Sequence, residues 1–228
     1  MEYLVAIIFG LLGCGIGFFI PRVSNYIIEF KLTQRQRQKE SNFLDQRKWV
    51  ILMTIINGFF WATVGYFAPN VFAGIIIGCL ITLAIMFTII DMIIHIIPNE
   101  MLLIGAPLAI LFQIIVFGFE DIWIAFACMA GIMFLFTVLG LIFGLNKIGA
   151  GDVKLAGLMG LALGYPLILY ALMIMSIALL IFSFIGLSTG KLTHVTMFAF
   201  APFLMLGLVI GLGLVLFPEV ITLIQSIG

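Results

Sequence analysis

The chain has 228 residues, of which 64% are apolar and only 9% charged. Ordinary soluble domains carry about 25% charge, so a chain this apolar has lipid as its solvent. Its ten bases and ten acids cancel, which leaves no basic footprint for nucleic acid. In lipid a helix satisfies its own backbone groups, so the expected fold is all-α: a polytopic transmembrane bundle, one membrane-embedded domain over residues 1–228. Met1-Glu2 offers no positive start, so the first apolar run is not expected to be a cleaved signal. Cys14, Cys79 and Cys128 lie in apolar runs without a CxxC pair. They are expected to pack as small apolar groups and to bind no metal.

Residues 4–20 are just long enough to cross a core of about 30 Å as a helix. Residues 21–48 are expected to form a short soluble loop. They hold Arg22, Lys31, Arg35, Arg37, Lys39, Arg47 and Lys48, seven of the ten Lys and Arg. The positive-inside rule puts this loop in the cytoplasm and the N-terminus outside. Span two, 49–67, leads out to the base-free turn Ala68-Pro69-Asn70, and span three, 71–90, leads back to Asp91. Pro98 biases Ile97 away from helix and opens a new element. Span four, about 101–118, leads out to Glu120 and Asp121, and span five, about 122–144, returns. Residues 153–164 are too short to cross as a straight helix, whereas 167–187 and 197–217 can cross. The bundle has seven spans if the short piece dips and eight if it crosses. Eight would leave Lys191 in the cytoplasm, as the positive-inside rule favours.

One polar stretch interrupts this pattern: Asn146-Lys147-Ile148-Gly149-Ala150-Gly151-Asp152-Val153-Lys154-Leu155. Gly149 and Gly151 remove side-chain bulk and open backbone angles closed to other residues, so another segment can approach Asp152. The span count places Asp91 and Asp152, 61 positions apart, at the inner ends of two inward-going helices. Two carboxylates brought close in a dry place share one proton. One then takes a proton from water while the other donates to a substrate carbonyl. That is aspartyl-protease chemistry, which requires no metal or cofactor. The plainer alternative is that each acid caps a helix or pairs with Lys147 or Lys154; matched depth favours the pair. His95, four after Asp91, shares its face if the helix continues and can orient that acid, against a plain interfacial role. A rival class is a proton- or cation-coupled transporter using Asp91 and Asp152 near broken helices. Such acids belong at the bilayer midplane rather than at a helix end. A third reading is a non-enzymatic membrane subunit.

Asp91 followed by Ile97-Pro98-Asn99, then Gly149-Ala150-Gly151-Asp152-Val153-Lys154-Leu155, resembles the type IV prepilin peptidases, bacterial GxGD membrane aspartyl proteases. Phe200-Ala201-Pro202-Phe203-Leu204 is similar to a late segment of that family, so the resemblance covers roughly residues 75–210. It implies Asp91 and Asp152 as the catalytic pair, at the cytoplasmic face of the bacterial inner membrane. Gly149, Gly151, Lys154, Pro98 and Asn99 match motif positions and are expected to support them, with His95 beside Asp91. The implied partner is a pilin-like precursor of a type IV pilus or type II secretion system. The cut falls after a glycine, between a short basic leader and a hydrophobic helix. Long members of the family carry a larger cytoplasmic insert with two CxxC pairs, and also methylate the new N-terminus with S-adenosylmethionine. Here residues 21–48 contain no cysteine. The expectation is a short form that cleaves without methylating by this chain alone and without zinc, with S-adenosylmethionine not required for the cut and methylation, where it occurs, left to a partner.

Overall fold

A computed structural model describes residues 2–36, 42–143, 149–190, 199–217 and 219. They form eight α-helices: α1 (Glu2–Gln34), α2 (Arg47–Phe67), α3 (Val71–Ile94), α4 (Asn99–Val116), α5 (Ile122–Phe143), α6 (Ala150–Leu163), α7 (Leu167–Ser188) and α8 (Ala201–Leu216). No strand occurs among the described residues. Six helices, α1–α5 and α7, are long and apolar enough to cross a membrane, and α8 is a shorter apolar one. The all-α, multi-pass bundle expected from composition is the architecture found.

Helices in lipid gain nothing from burying apolar surface against each other, so small residues and hydrogen bonds hold them. Gly10, Gly13 and Gly17 of α1 face Ala62, Trp61 and Thr54 of α2 in turn, so the two helices run antiparallel. A Cβ on Gly17 would stand 2.9 Å from the Thr54 Cα. At this seam Asn57 Nδ2 donates to the Gly13 carbonyl at 2.8 Å. Trp61 Nε1 donates to Thr82 Oγ1 at 3.0 Å, and the Thr82 hydroxyl lies 3.0 Å from Asn57 Oδ1. Such bonds are worth roughly 0.6–2 kcal/mol each in a membrane, and together they tie α1, α2 and α3.

The expected loop over 21–48 is largely helix. α1 does not stop at residue 20 but continues through Pro21 to Gln34. The reason is a buried stripe at Ile20, Ser24 and Ile28, four residues apart as on one helix face. Arg22, Asn25, Glu29 and Lys31 are interleaved with it and lower the hydropathy of the segment. Pro21 forfeits one helix hydrogen bond, to the Gly17 carbonyl, and the stripe carries the helix past it. The chain comes back at a 3-10 turn, Phe43–Asp45, capped by Asn42. Asn25 Nδ2 donates to Asp45 Oδ1 at 3.0 Å and holds that turn against α1. Arg37, Lys39, Lys147 and Lys191 lie outside the described residues.

The two ends of the bundle differ. Ring contacts Tyr3–Tyr66, Tyr66–Phe67 and Phe67–Phe217 gather one end of α1, α2 and α8. The other end holds the close of α3 and the starts of α4, α6 and α8. The basic extension of α1 is fixed there by Lys31 Nζ, 2.7 Å from Glu100 Oε1. The 14 residues of α6 cover the depth of α4's 18. Lys154 bonds Asn99 at the start of α4, and Gln113 near its close donates to the Ala162 carbonyl at 2.8 Å. The short piece therefore runs alongside α4 instead of dipping. Residues 155–163 are all buried, among α4, α5 and α8, so protein rather than lipid surrounds it.

A methyl on Gly13 would meet the Trp61 side chain, whereas one on Gly15 would meet nothing within 4 Å. Gly13→Ala is therefore expected to cost roughly 1–3 kcal/mol by overpacking, and Gly15→Ala to cost nothing. Reversible unfolding in mixed micelles, followed by tryptophan fluorescence, measures the difference. Equal stability of the two variants would refute the close α1–α2 seam.

Candidate active site

Asp91 lies one turn before the end of α3. The helix closes at His95, which adopts the left-handed region at φ 51° and ψ 42°. Its amide donates to the Asp91 carbonyl at 2.9 Å. That conformation costs about 1–2 kcal/mol for a residue with a Cβ. It turns the chain so that Pro98 can cap α4. The helix does not continue through His95, so the expected shared face with Asp91 is not formed. His95 is an exposed cap residue. The Asp91 side chain turns inward. It is only 5% exposed, and its Oδ2 accepts the Ala201 N–H at 2.9 Å.

Asp152 comes from a local device. α6 opens at Gly149, whose amide donates to Asp152 Oδ2 at 3.0 Å, the third helical side chain reaching back to its own cap. Gly149 sits at φ −72° and ψ 150°, extended backbone that any residue adopts. The unusual angles expected of the glycines are not used here; room is what they supply. A Cβ on Gly151 would lie 3.1 Å from the Ile97 Cβ, and one on Gly149 3.3 Å from Asp152 Oδ2. Gly151 thus lets the first turn of α6 press on the turn that follows Asp91.

The two motifs are joined a second time where Lys154 Nζ donates to Asn99 Oδ1 at 3.1 Å. This is the described partner of Lys154; of the plainer alternative, the helix cap is present at Asp152, the described partner of Lys154 is Asn99 rather than Asp152, and Lys147 lies outside the described residues. Asp152 is half-buried and stands outside the six membrane-length helices. Burial pushes its carboxyl up to about 6; the Gly149 amide opposes that rise, and the charge of Asp91 adds to it. The Gly151–Ile97 contact and the Lys154–Asn99 bond thus bring the two acids to one end of the bundle. Of the residues singled out in the sequence, Asp91, Pro98, Asn99, Gly149, Gly151, Asp152 and Lys154 gather there, and His95 stands at the rim.

The residue that sequence reasoning left without a role is Ala201. Its amide meets Asp91 across 110 positions, and the neighbouring Phe200 ring packs on Phe136 with centroids 5.9 Å apart. Pro202 in the first turn of α8 marked a helix start, but no spacing rule links that start to Asp91.

Residues 76–184 match the type IV leader peptidase family. The match covers just under half of the chain and includes both acids. It supports the prepilin peptidase resemblance, and the family implies a protease acting on prepilin-type substrates. α1, α2 and α8 lie outside the matched stretch. No curated protein and no solved structure matches the chain.

The electrostatic link between the acids is directly measurable. Asp91→Asn removes a neighbouring negative charge, so the midpoint of Asp152 is expected to fall below about 6. The chain has four aspartates, Asp45, Asp91, Asp121 and Asp152, few enough to resolve their carboxyl carbons by 13C NMR with labelled aspartate. A midpoint that does not move would show that the two groups do not interact.

Proposed function

We propose that this protein is an aspartyl endopeptidase of the membrane interface, which removes the short leader of type IV pilin-like precursors. What supports the reading is that Asp91, near the close of α3, and Asp152, in the first turn of α6, are brought to one end of the bundle, where Gly151 packs on Ile97 and Lys154 bonds Asn99. Asp152, with its pKa raised to about 6, is suited to hold the shared proton. Asp91, the other member of the pair, then takes the role of the base. Asp91 takes a proton from water, whose oxygen attacks the carbonyl carbon of the glycine before the cut. Asp152 donates its proton to that carbonyl oxygen. The tetrahedral product then collapses as Asp91 passes its proton to the leaving nitrogen, a hydroxyl proton returns to Asp152, and the C–N bond breaks. Neither metal nor cofactor enters these steps.

The same bundle end carries the basic extension of α1, so the positive-inside rule makes it cytoplasmic. The N-terminus is then outside, and the membrane is the bacterial inner membrane. A precursor whose apolar helix sits in the bilayer presents its basic leader at that level. A transporter would place such acids at the midplane, not at the end where α3 closes and α6 begins. The family match favours proteolysis further.

Asp91→Asn and Asp152→Asn are each expected to abolish leader cleavage while the protein still inserts. A co-expressed precursor that is fully processed by either variant removes the dyad. Methylation is tested separately. Residues 21–48 contain no cysteine, and their first part extends α1. We therefore expect cleavage without methyl transfer by this chain alone. Intact-mass analysis of a processed precursor, with and without S-adenosylmethionine, is expected to show loss of the leader only. A cofactor-dependent gain of one methyl group would overturn this part.

A further inference from the structure

We propose that the first amide of α8 is a positioning element of the proteolytic site: the Ala201 N–H holds Asp91 Oδ2 as an unprotonated oxygen and aims that carboxylate at the water it activates. This rests on reading Asp91 and Asp152 as the dyad, and it adds to the site a helix that lies outside residues 76–184.

Four observations carry it. An N–H can only meet a lone pair, so Oδ2 of Asp91, 2.9 Å from the Ala201 nitrogen, is not the oxygen that bears the proton. Ala201 is the first residue of α8, where the amide has no partner within its own helix and where the helix end favours negative charge. The next residue, Pro202, has no N–H, and the Phe203 amide is committed to the Phe200 carbonyl at 3.1 Å. Within α8 the amide facing Asp91 is thus that of Ala201, and the Phe200 amide just before the helix also acts on the carboxylate. Finally, α8 is fixed along its length, with Gly207 against the Ala171 carbonyl and Gly211 against Leu163, so the amide is held where it stands. Ala201 is fully buried, and in such surroundings a hydrogen bond to a charged group is strengthened.

The two acids are therefore held in different ways. Asp152 takes its amide from its own helix cap, three residues away. Asp91 takes its amide from a helix that joins the bundle late in the chain. The base is in register only when α8 is docked.

The test removes the N–H and keeps the side chain. Lactic acid in place of Ala201, introduced by cell-free synthesis into nanodiscs, converts that amide to an ester. The substrate is a synthetic precursor with a basic leader, a glycine and an apolar helix. The expected result is a fall in kcat of roughly tenfold or more, the size of one lost hydrogen bond to a charged group, with KM little changed. The acid limb of the kcat/KM profile moves to higher pH, because an N–H donor favours the charged carboxylate. The same ester at Phe203, which loses a helix-start bond without touching Asp91, leaves the acid limb where the unmodified protein has it. Ala201→Pro removes the same N–H at a helix position that accepts proline, and serves if the ester does not accumulate. A wild-type kcat and profile in these variants overturns the proposal, as does an equal shift in the Phe203 ester. Cleavage by Asp91→Asn instead overturns the dyad on which it rests.

Discussion

A carboxylate shut away from water must be either protonated or supplied with donors, because the uncompensated charge costs several kcal/mol. Asp91 is the place where this chain meets that demand. It is nearly fully buried, and its described donor comes from the start of α8. The rest of the site follows from that demand. α3 must end just beyond Asp91, which is where His95 closes it. α8 must begin beside it, at the same end of the bundle. α6 must bring the second acid to that end, and it does so by starting there.

Room decides how closely these pieces assemble. In lipid the hydrophobic effect does not press helices together, so contact comes from surfaces that fit. On one side of the molecule the fit is made by Gly10, Gly13 and Gly17 against α2. At the site it is made by Gly151 against Ile97. The same residue type thus serves a structural seam and a chemical one, by absence of bulk in both cases. Backbone freedom is used instead at His95, which has a Cβ and adopts a left-handed conformation at the helix end.

Much of this was legible in the sequence. Composition dictated a helical bundle, and charge asymmetry with span counting put Asp91 and Asp152 at one depth. Those arguments work because lipid punishes charge and loose backbone wherever they occur. They failed where polar residues alternate with a buried face, as at Ile20, Ser24 and Ile28, since a window average cannot see a stripe. They also left α6 open, because length was judged against lipid, while its surroundings are protein from residue 155 to residue 163. At the site, the motif glycines and Asn99 were visible as types at spacings. The Lys154–Asn99 bond and the Ala201 amide were not. Backbone groups carry no sequence signature, and long-range partners have no period.

On the proposed reading, the division of labour between the acids follows from how each is held. Asp152 keeps its amide contact through a turn of three residues, so that contact is local to α6. Its neighbour's charge and its own burial raise its affinity for a proton, which suits a group that donates to a carbonyl. Asp91 depends on a contact between chain segments 110 positions apart, so its geometry reports whether the bundle is closed. On the proposed reading, the acid of the pair is prepared locally and the base by the tertiary fold, at the bundle end where α3, α6 and α8 converge and which also bears the basic extension of α1.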